Sequence, residues 1–284
     1  MTGKDQRRTK RLREVLATMV SLSDDAIPLA HAALLIAAEE YRGLDIPAYI
    51  GQIDRMAAAV HKRLGFELEP LRIIEAMNAQ LFDEEGFRGN TEDYYDPRNS
   101  FLNEVLDRRT GIPISLAVIY MEVAWRLNLP LVGVGMPGHF IVKYQGADAE
   151  ILIDPFHGGT ILSQEDCRQT LDRIYQGRIP FTPEVLAATS RRQILVRILS
   201  NLKAVYVNQA DHRRALATVE RLLLISPDTP GELRDRGLLY ATLHRLPQAA
   251  ADLKRYLQVS PEAEDRETIV RHLRHLQMRQ AMDN

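Results

Sequence analysis

Residues 112–127, IPISLAVIYMEVAWRL, are apolar at almost every position. A helix that is hydrophobic all round must be buried on most of its sides, so this segment obliges a core to close around it. Gly111 breaks the chain before it. Pro113 suits a first helical turn, where a missing N–H has no intrahelical partner to lose. Asn128 and Pro130 end it. The run is interrupted by Glu122 and Arg126 and falls short of the roughly 20 residues a bilayer span requires. A core helix of a soluble, cytoplasmic protein with no membrane association is therefore expected.

Beyond this helix the chain reads as strands. Residues 131–134 lead through Gly135-Met136-Pro137-Gly138 into residues 139–144, and residues 151–154 form a partner. A type II′ turn centred on Gly146–Ala147 suits a hairpin. That turn pairs Tyr144 with Ala149, Lys143 with Glu150, and finally His139 with Asp154. Directly opposed residues share a face with Cβ atoms about 5 Å apart, so the register predicts a His–Asp contact. A slip of one residue turns Asp154 to the other face. Pro155 favours an extended Asp154, and Gly158 and Gly159 end the strand.

Helical patterns fill the chain on either side. Residues 46–64 and 70–82 carry apolar side chains at helical spacing, and residues 29–37 do so after a possible cap at Ser23 or Asp24. Residues 83–96 read as a loop, residues 100–108 as a short helix, and Ser163 as the cap of a helix reaching Tyr175. Residues 1–20 are expected to be a basic, flexible N-terminus, with Lys4, Arg7, Arg8, Lys10, Arg11 and Arg13 and no apolar stretch directly after them, as a secretion signal needs. Beyond Pro180 and Pro183 the chain repeats: ISPD at 225–228 returns as VSPE at 259–262, Tyr206 as Tyr240, Ala215 as Ala249, and Leu223 as Leu257. A period of about 34 residues, a small alanine at the helix crossing and a closing proline fit tetratricopeptide repeats, stacked pairs of antiparallel helices. The expected organisation is 1–20, 21–182 and 183–284. A formal net charge of -2 gives no general attraction to nucleic acid, and a single cysteine, Cys167, points to a reducing compartment.

The chemistry concentrates at the hairpin. A histidine oriented by an aspartate on the next strand, facing the start of a helix, is the skeleton of a site for covalent acyl transfer. The third member would be a nucleophile in the first turn of that helix, where the helix dipole activates it. Residues 111–116 hold no cysteine, and Ser115 is the one hydroxyl there. Cys167 has Leu171 and Ile174 at helical spacing and reads as core. Asn99, Arg109 and His157 are candidates for binding at the cleft. His157, beyond the strand and close to two glycines, could share the cleft, but a metal site would want a third ligand that the sequence does not name, so no metal or cofactor is expected.

These residues also carry a resemblance. The order NSFLNEVLDRRTGIPISLAVIYMEVAWRLNLPLVGVGMPGHFIVKY, then IDPFHGG, then tetratricopeptide repeats, closely resembles bacterial transglutaminase-like proteins of the SirB type, regulators of sirC expression. The resemblance implies an α+β transglutaminase-like domain of the papain-like superfamily, with N-terminal helices and a small antiparallel sheet, followed by an all-α repeat domain. His139 and Asp154 match that superfamily's histidine and aspartate. The cysteine position falls at 113–115, where this chain has none. The implied function is a non-catalytic regulatory or scaffolding protein, a pseudoenzyme that binds a protein or peptide through the cleft and the repeat face. The alternative is an amide hydrolase or acyltransferase that uses Ser115 with His139 and Asp154.

Overall fold

A computed structural model describes residues 3–146 and 149–282, with side chains through residue 279. The chain forms two compact units that divide between Ile198 and Leu199.

The first unit is built around helix α6, Pro113–Arg126, whose residues from Pro113 to Ala124 are all buried. The acid in this apolar run is satisfied: the Glu122 carboxylate accepts the Ala30 N–H at 2.8 Å and an Arg126 N–H at 2.6 Å. The Ala30 amide belongs to the first turn of α2, Leu29–Glu40, where helical N–H groups have no intrahelical acceptor. Helices α3, Ile46–Leu64, and α4, Pro70–Asn78, complete the helical lobe with α5, Leu102–Arg108. The described part of the N-terminus departs from the flexible tail expected over residues 1–20. Gly3–Val20 is a helix, α1, that buries Leu16 and Val20. Two of its basic residues bind α2: Arg13 pairs with Glu39 at 2.6 Å, and Arg8 donates to the carbonyls of Ala38 and Tyr41 at its end.

Two short strands, β1 (Arg88–Gly89), inside the stretch read as loop, and β2 (Thr110–Gly111), just before α6, pair in parallel. The main sheet has the order β6-β5-β4-β3-β7 and is antiparallel. It comprises β3 (Leu131–Val134), β4 (Ile141–Gln145), β5 (Glu150–Asp154), β6 (Thr160–Leu162) and β7 (Ala188–Thr189). Because β7 pairs with β3, the first unit runs past the boundary expected near Thr182. Helix α7, Gln164–Tyr175, starts at Ser163, whose hydroxyl accepts the Asp166 N–H. One face of the sheet packs Val134, Ile141 and Leu152 with Cys167 of α7 and Leu186. Val142 and Ile153, on the opposite face, are fully buried, and α6 packs against β3 and β4.

The hairpin register differs from the expected one. Gln145 lies opposite Glu150, Tyr144 opposite Ile151 and Val142 opposite Ile153, a slip of two residues from the pairing of Tyr144 with Ala149. The closing contact lies one residue further along the chain than expected: the Gly146 N–H donates to the Ala149 carbonyl at 3.0 Å, so Gly146 belongs to the closing pair and not to the centre of the turn, and a shift of one residue in the turn moves the register by two. Ala147, the second residue of the expected turn, lies outside the described residues.

Helix α8, Arg191–Asn208, crosses the boundary between the units. The second unit continues with α9 (His212–Ile225), α10 (Pro230–Thr242), α11 (Leu246–Val259) and α12 (Arg266–Met282). The helix pairs match the repeat seen in the sequence. Ala215 and Ala249 are fully buried, and a Cβ on Gly237 would sit 2.7 Å from a Leu253 methyl, so α10 and α11 approach closely. Arg236 and Asp252 close the crossing with two hydrogen bonds of 2.6 and 2.7 Å.

Candidate functional site

The residues Met136-Pro137-Gly138-His139 form a type II turn: the His139 N–H donates to the Met136 carbonyl at 3.2 Å, and Gly138 has φ +71°. Gly138 is required twice, since a Cβ there would also press on Ile174 at 2.9 Å. Arg197 of α8 clamps this turn from behind, donating to the carbonyls of Met136 at 2.8 Å and His139 at 2.7 Å while lying over the Phe140 ring. Sequence reasoning missed Arg197, and nothing local could have revealed it, because its partners are 58 and 61 residues away.

His139 enters the sheet two residues before β4, and Asp154 ends β5. Continuing the register one step sets Ile141 opposite Asp154, so His139 is its diagonal neighbour on the same face, within reach of a long side chain. The contact expected from the sequence is made: His139 Nε2 lies 2.7 Å from Asp154 Oδ2, with the residues 7% and 3% exposed. Asp154 also caps the single turn Pro155–His157, its Oδ1 accepting the N–H groups of Phe156 and His157 at 3.0 and 3.4 Å. That turn brings back a second imidazole, with His157 Nδ1 2.7 Å from the same Oδ2. Burial by itself would push the Asp154 carboxyl up; the hydrogen bonds and charge from His139 and His157 outweigh it and hold the carboxyl below its ordinary value.

The Phe156 ring stands edge-on to both imidazoles and lies against Gly89, where any Cβ would fall 2.5 Å from it. The turn after His157 is anchored from below: Tyr120 of α6 donates to Asn78 Oδ1 at 2.8 Å, and Asn78 Nδ2 donates to the Gly159 carbonyl at 2.9 Å.

The other candidates are placed elsewhere. The Ser115 hydroxyl is 1% exposed, donates to the Asn99 carbonyl at 2.7 Å and accepts the Ile112 N–H at 3.1 Å. Among the described residues no hydrogen bond joins it to His139. Asn99 is fully buried and organises the preceding loop, its Nδ2 donating to the carbonyls of Asp93 and Tyr94 and its Oδ1 accepting from Asn90. Arg109 pairs with Glu85 at 2.7 Å, lies over Phe87 and lines a hollow of about 410 Å³ with Gln52, Arg55 and Asp107, residues that have no part in the imidazole cluster. Cys167 is buried and free. Burial first, then the nearby Asp166 and Asp154 carboxylates, push its thiol up to about 11, the reverse of what a nucleophile needs. The site is a carboxylate holding two imidazoles, and no hydroxyl or thiol among the described residues is bonded to either ring.

Comparison with known proteins agrees with this division. The transglutaminase-like superfamily profile matches residues 47–200, and a tetratricopeptide repeat profile matches residues 202–274. A UPF0162 protein of Xylella fastidiosa is 40% identical over 263 residues, 90% of this chain and 92% of that protein. Protein SirB1 of Salmonella typhimurium is 29% identical over 235 residues, 80% of this chain and 86% of its own length. F-box only protein 21 of Pongo abelii is 28% identical over 198 residues, 66% of this chain but 31% of that longer protein. No solved structure matches. Among the described residues no helix is long and apolar enough to cross a membrane.

Proposed function

Because the chain belongs to the transglutaminase-like superfamily, we propose that it is a non-catalytic member, a regulatory or scaffolding protein of the cytoplasm that binds a protein or peptide through its cleft and its tetratricopeptide face. The observation that carries this reading is the fate of the hydroxyl at the start of α6. Ser115 Oγ is spent on Asn99 and Ile112 in a nearly solvent-free position. Using it as a nucleophile would break two hydrogen bonds and reopen the packed helix start. Covalent catalysis needs a base within hydrogen-bond reach of its nucleophile, and among the described residues no hydrogen bond joins Ser115 to the His139 ring. Helical repeats of this kind present extended surfaces to partner chains, which supports the binding half of the proposal.

The test is to incubate the purified full chain with thiol- and serine-directed activity probes and with acyl-donor peptides. The expected result is no labelling and no turnover above that of the His139→Ala variant. Turnover that vanishes in His139→Ala and in Ser115→Ala would overturn the proposal in favour of the acyltransferase reading.

A further inference from the structure

Three metal-ligand atoms converge at the end of β5. His139 Nε2, His157 Nδ1 and Asp154 Oδ2 all lie within 4.8 Å of one another, and each nitrogen is 2.7 Å from the one oxygen. Among the described residues this is the one such trio of histidine, cysteine or acidic side chains. The sequence predicts the contact between His139 and Asp154 but not the turn that folds His157 back onto the same carboxylate.

We propose that the trio binds a divalent first-row transition ion, zinc foremost. The donor chemistry selects that class. Two imidazole nitrogens and one carboxylate oxygen suit zinc and its neighbours, whereas calcium and magnesium call for shells made of oxygen. Three protein ligands leave the remaining coordination to solvent, and the site has an open side: the His157 side chain is 62% exposed.

The geometry needs one small movement. Bonds of about 2.0–2.2 Å to an ion in tetrahedral coordination hold the donors roughly 3.3–3.5 Å apart. The two contacts to Asp154 therefore lengthen by less than about 1 Å. His139 is the fixed partner, held by its turn and by Arg197. His157 is the adjustable one, on a single exposed turn followed by Gly158 at φ +69° and Gly159 at φ +75°. The carboxylate is already oriented, because its other oxygen accepts two backbone N–H groups, the outer support that metal-binding carboxylates use. The ion would tie the Pro155–His157 turn to the sheet. Binding of this kind needs no nucleophile, so it holds whether or not the fold is catalytic.

The experiment uses the chelator-treated full chain titrated with zinc sulfate by calorimetry, with cobalt as a spectroscopic probe. One ion per chain is expected, with no thiolate-to-cobalt charge-transfer band. The His157→Ala variant, altered at an exposed position and checked for folding by circular dichroism, is expected to bind at least about tenfold to a hundredfold more weakly, a loss seen even for outer-shell changes. Side-chain nitrogen NMR is expected to show zinc shifting the ring signals of His139 and His157 and no others of the eight histidines. The inference is overturned if no stoichiometric binding occurs, if His157→Ala binds zinc unchanged, if a thiolate band appears, or if other rings such as His272 and His275 carry the shifts.

Discussion

Replacing Asp154 with asparagine isolates what the carboxylate does. The substitution keeps an oxygen for the Phe156 and His157 amides and turns Oδ2, the acceptor for both imidazoles, into a donor. A hydrogen bond to a charged group contributes about 1.5–3 kcal/mol. The bond to His139 is buried on both sides, with side chains 8% and 5% exposed, and keeps its full value. The bond to His157 is largely screened by solvent and is discounted to at most about 1 kcal/mol. Asp154→Asn should therefore lower the stability of the first unit by about 1.5–4 kcal/mol. His157→Ala should cost less than about 1 kcal/mol. Urea unfolding at neutral pH measures both, tracked by the fluorescence of Trp125, the one tryptophan, whose indole N–H donates to the Leu131 carbonyl at 2.9 Å. If Asp154→Asn stays within the error of the wild type, or His157→Ala is as damaging as Asp154→Asn, the carboxylate is not the group that organises this turn.

The same contacts set four further outcomes. Gly159→Ala should destabilise by more than Gly158→Ala in urea unfolding: both glycines have positive φ, a strain of about 1–2 kcal/mol for alanine, but only at Gly159 does the new Cβ collide with Asn78 Oδ1. Ser115→Ala should cost about 1–3 kcal/mol by the same assay, because it strips a partner from the buried Ile112 amide and Asn99 carbonyl. Asp24 accepts the N–H groups of Arg191 and Arg192 at the start of α8; burial pushes its carboxyl up, but those bonds outweigh it and hold the carboxyl below its ordinary value. A depressed folded pKa adds stability above the ordinary carboxylate range and loses it as pH falls, so the penalty of Asp24→Ala, about 0.5–2 kcal/mol at neutral pH, should shrink in urea titrations run at progressively lower pH. Cys167, buried with its thiol pushed up to about 11, should resist iodoacetamide at pH 8 in the folded protein and react fully once unfolded, as mass spectrometry would read directly.

Long elements were legible because their signals are long. Residues 46–64 carry a helical stripe, a proline at the start and Gly65 at the stop, and the helix occupies Ile46–Leu64. The repeat announced the second unit because whole helix pairs recur with small alanines in register, and Ala215 and Ala249 take the buried crossing positions. Short elements gave no comparable signal. Strands β6 and β7, of three and two residues, are too brief to show alternation, and they exist because neighbouring strands offer free edges. The basic stretch at residues 4–13 looked like a solvated tail because Arg8 and Arg13 were read without their partners, the carbonyls and acid of α2. Arg197 was invisible for the same reason: a side chain that acts by capping carbonyls from a distant helix leaves no local pattern.

The contact between His139 and Asp154 came out right from a register that was wrong, and the reason is geometric. Side chains in a strand alternate with a period of two, so a slip of two residues keeps every side chain on its face while a slip of one reverses them all. The turn displaced by one residue, with Gly146 bonded to Ala149, moved His139 from directly opposite Asp154 to the diagonal position, and a histidine is long enough to span that diagonal. What the slip did change is who else can reach the carboxylate. With His139 approaching diagonally, Asp154 ends its strand unblocked along the chain, and the Pro155–His157 turn folds a second imidazole onto the same oxygen. The pairing expected from the sequence was a dyad waiting for a nucleophile. The folded chain instead closes on itself, with both of the carboxylate's oxygens occupied by its own neighbours and the hydroxyl at the start of α6 turned to its own loop.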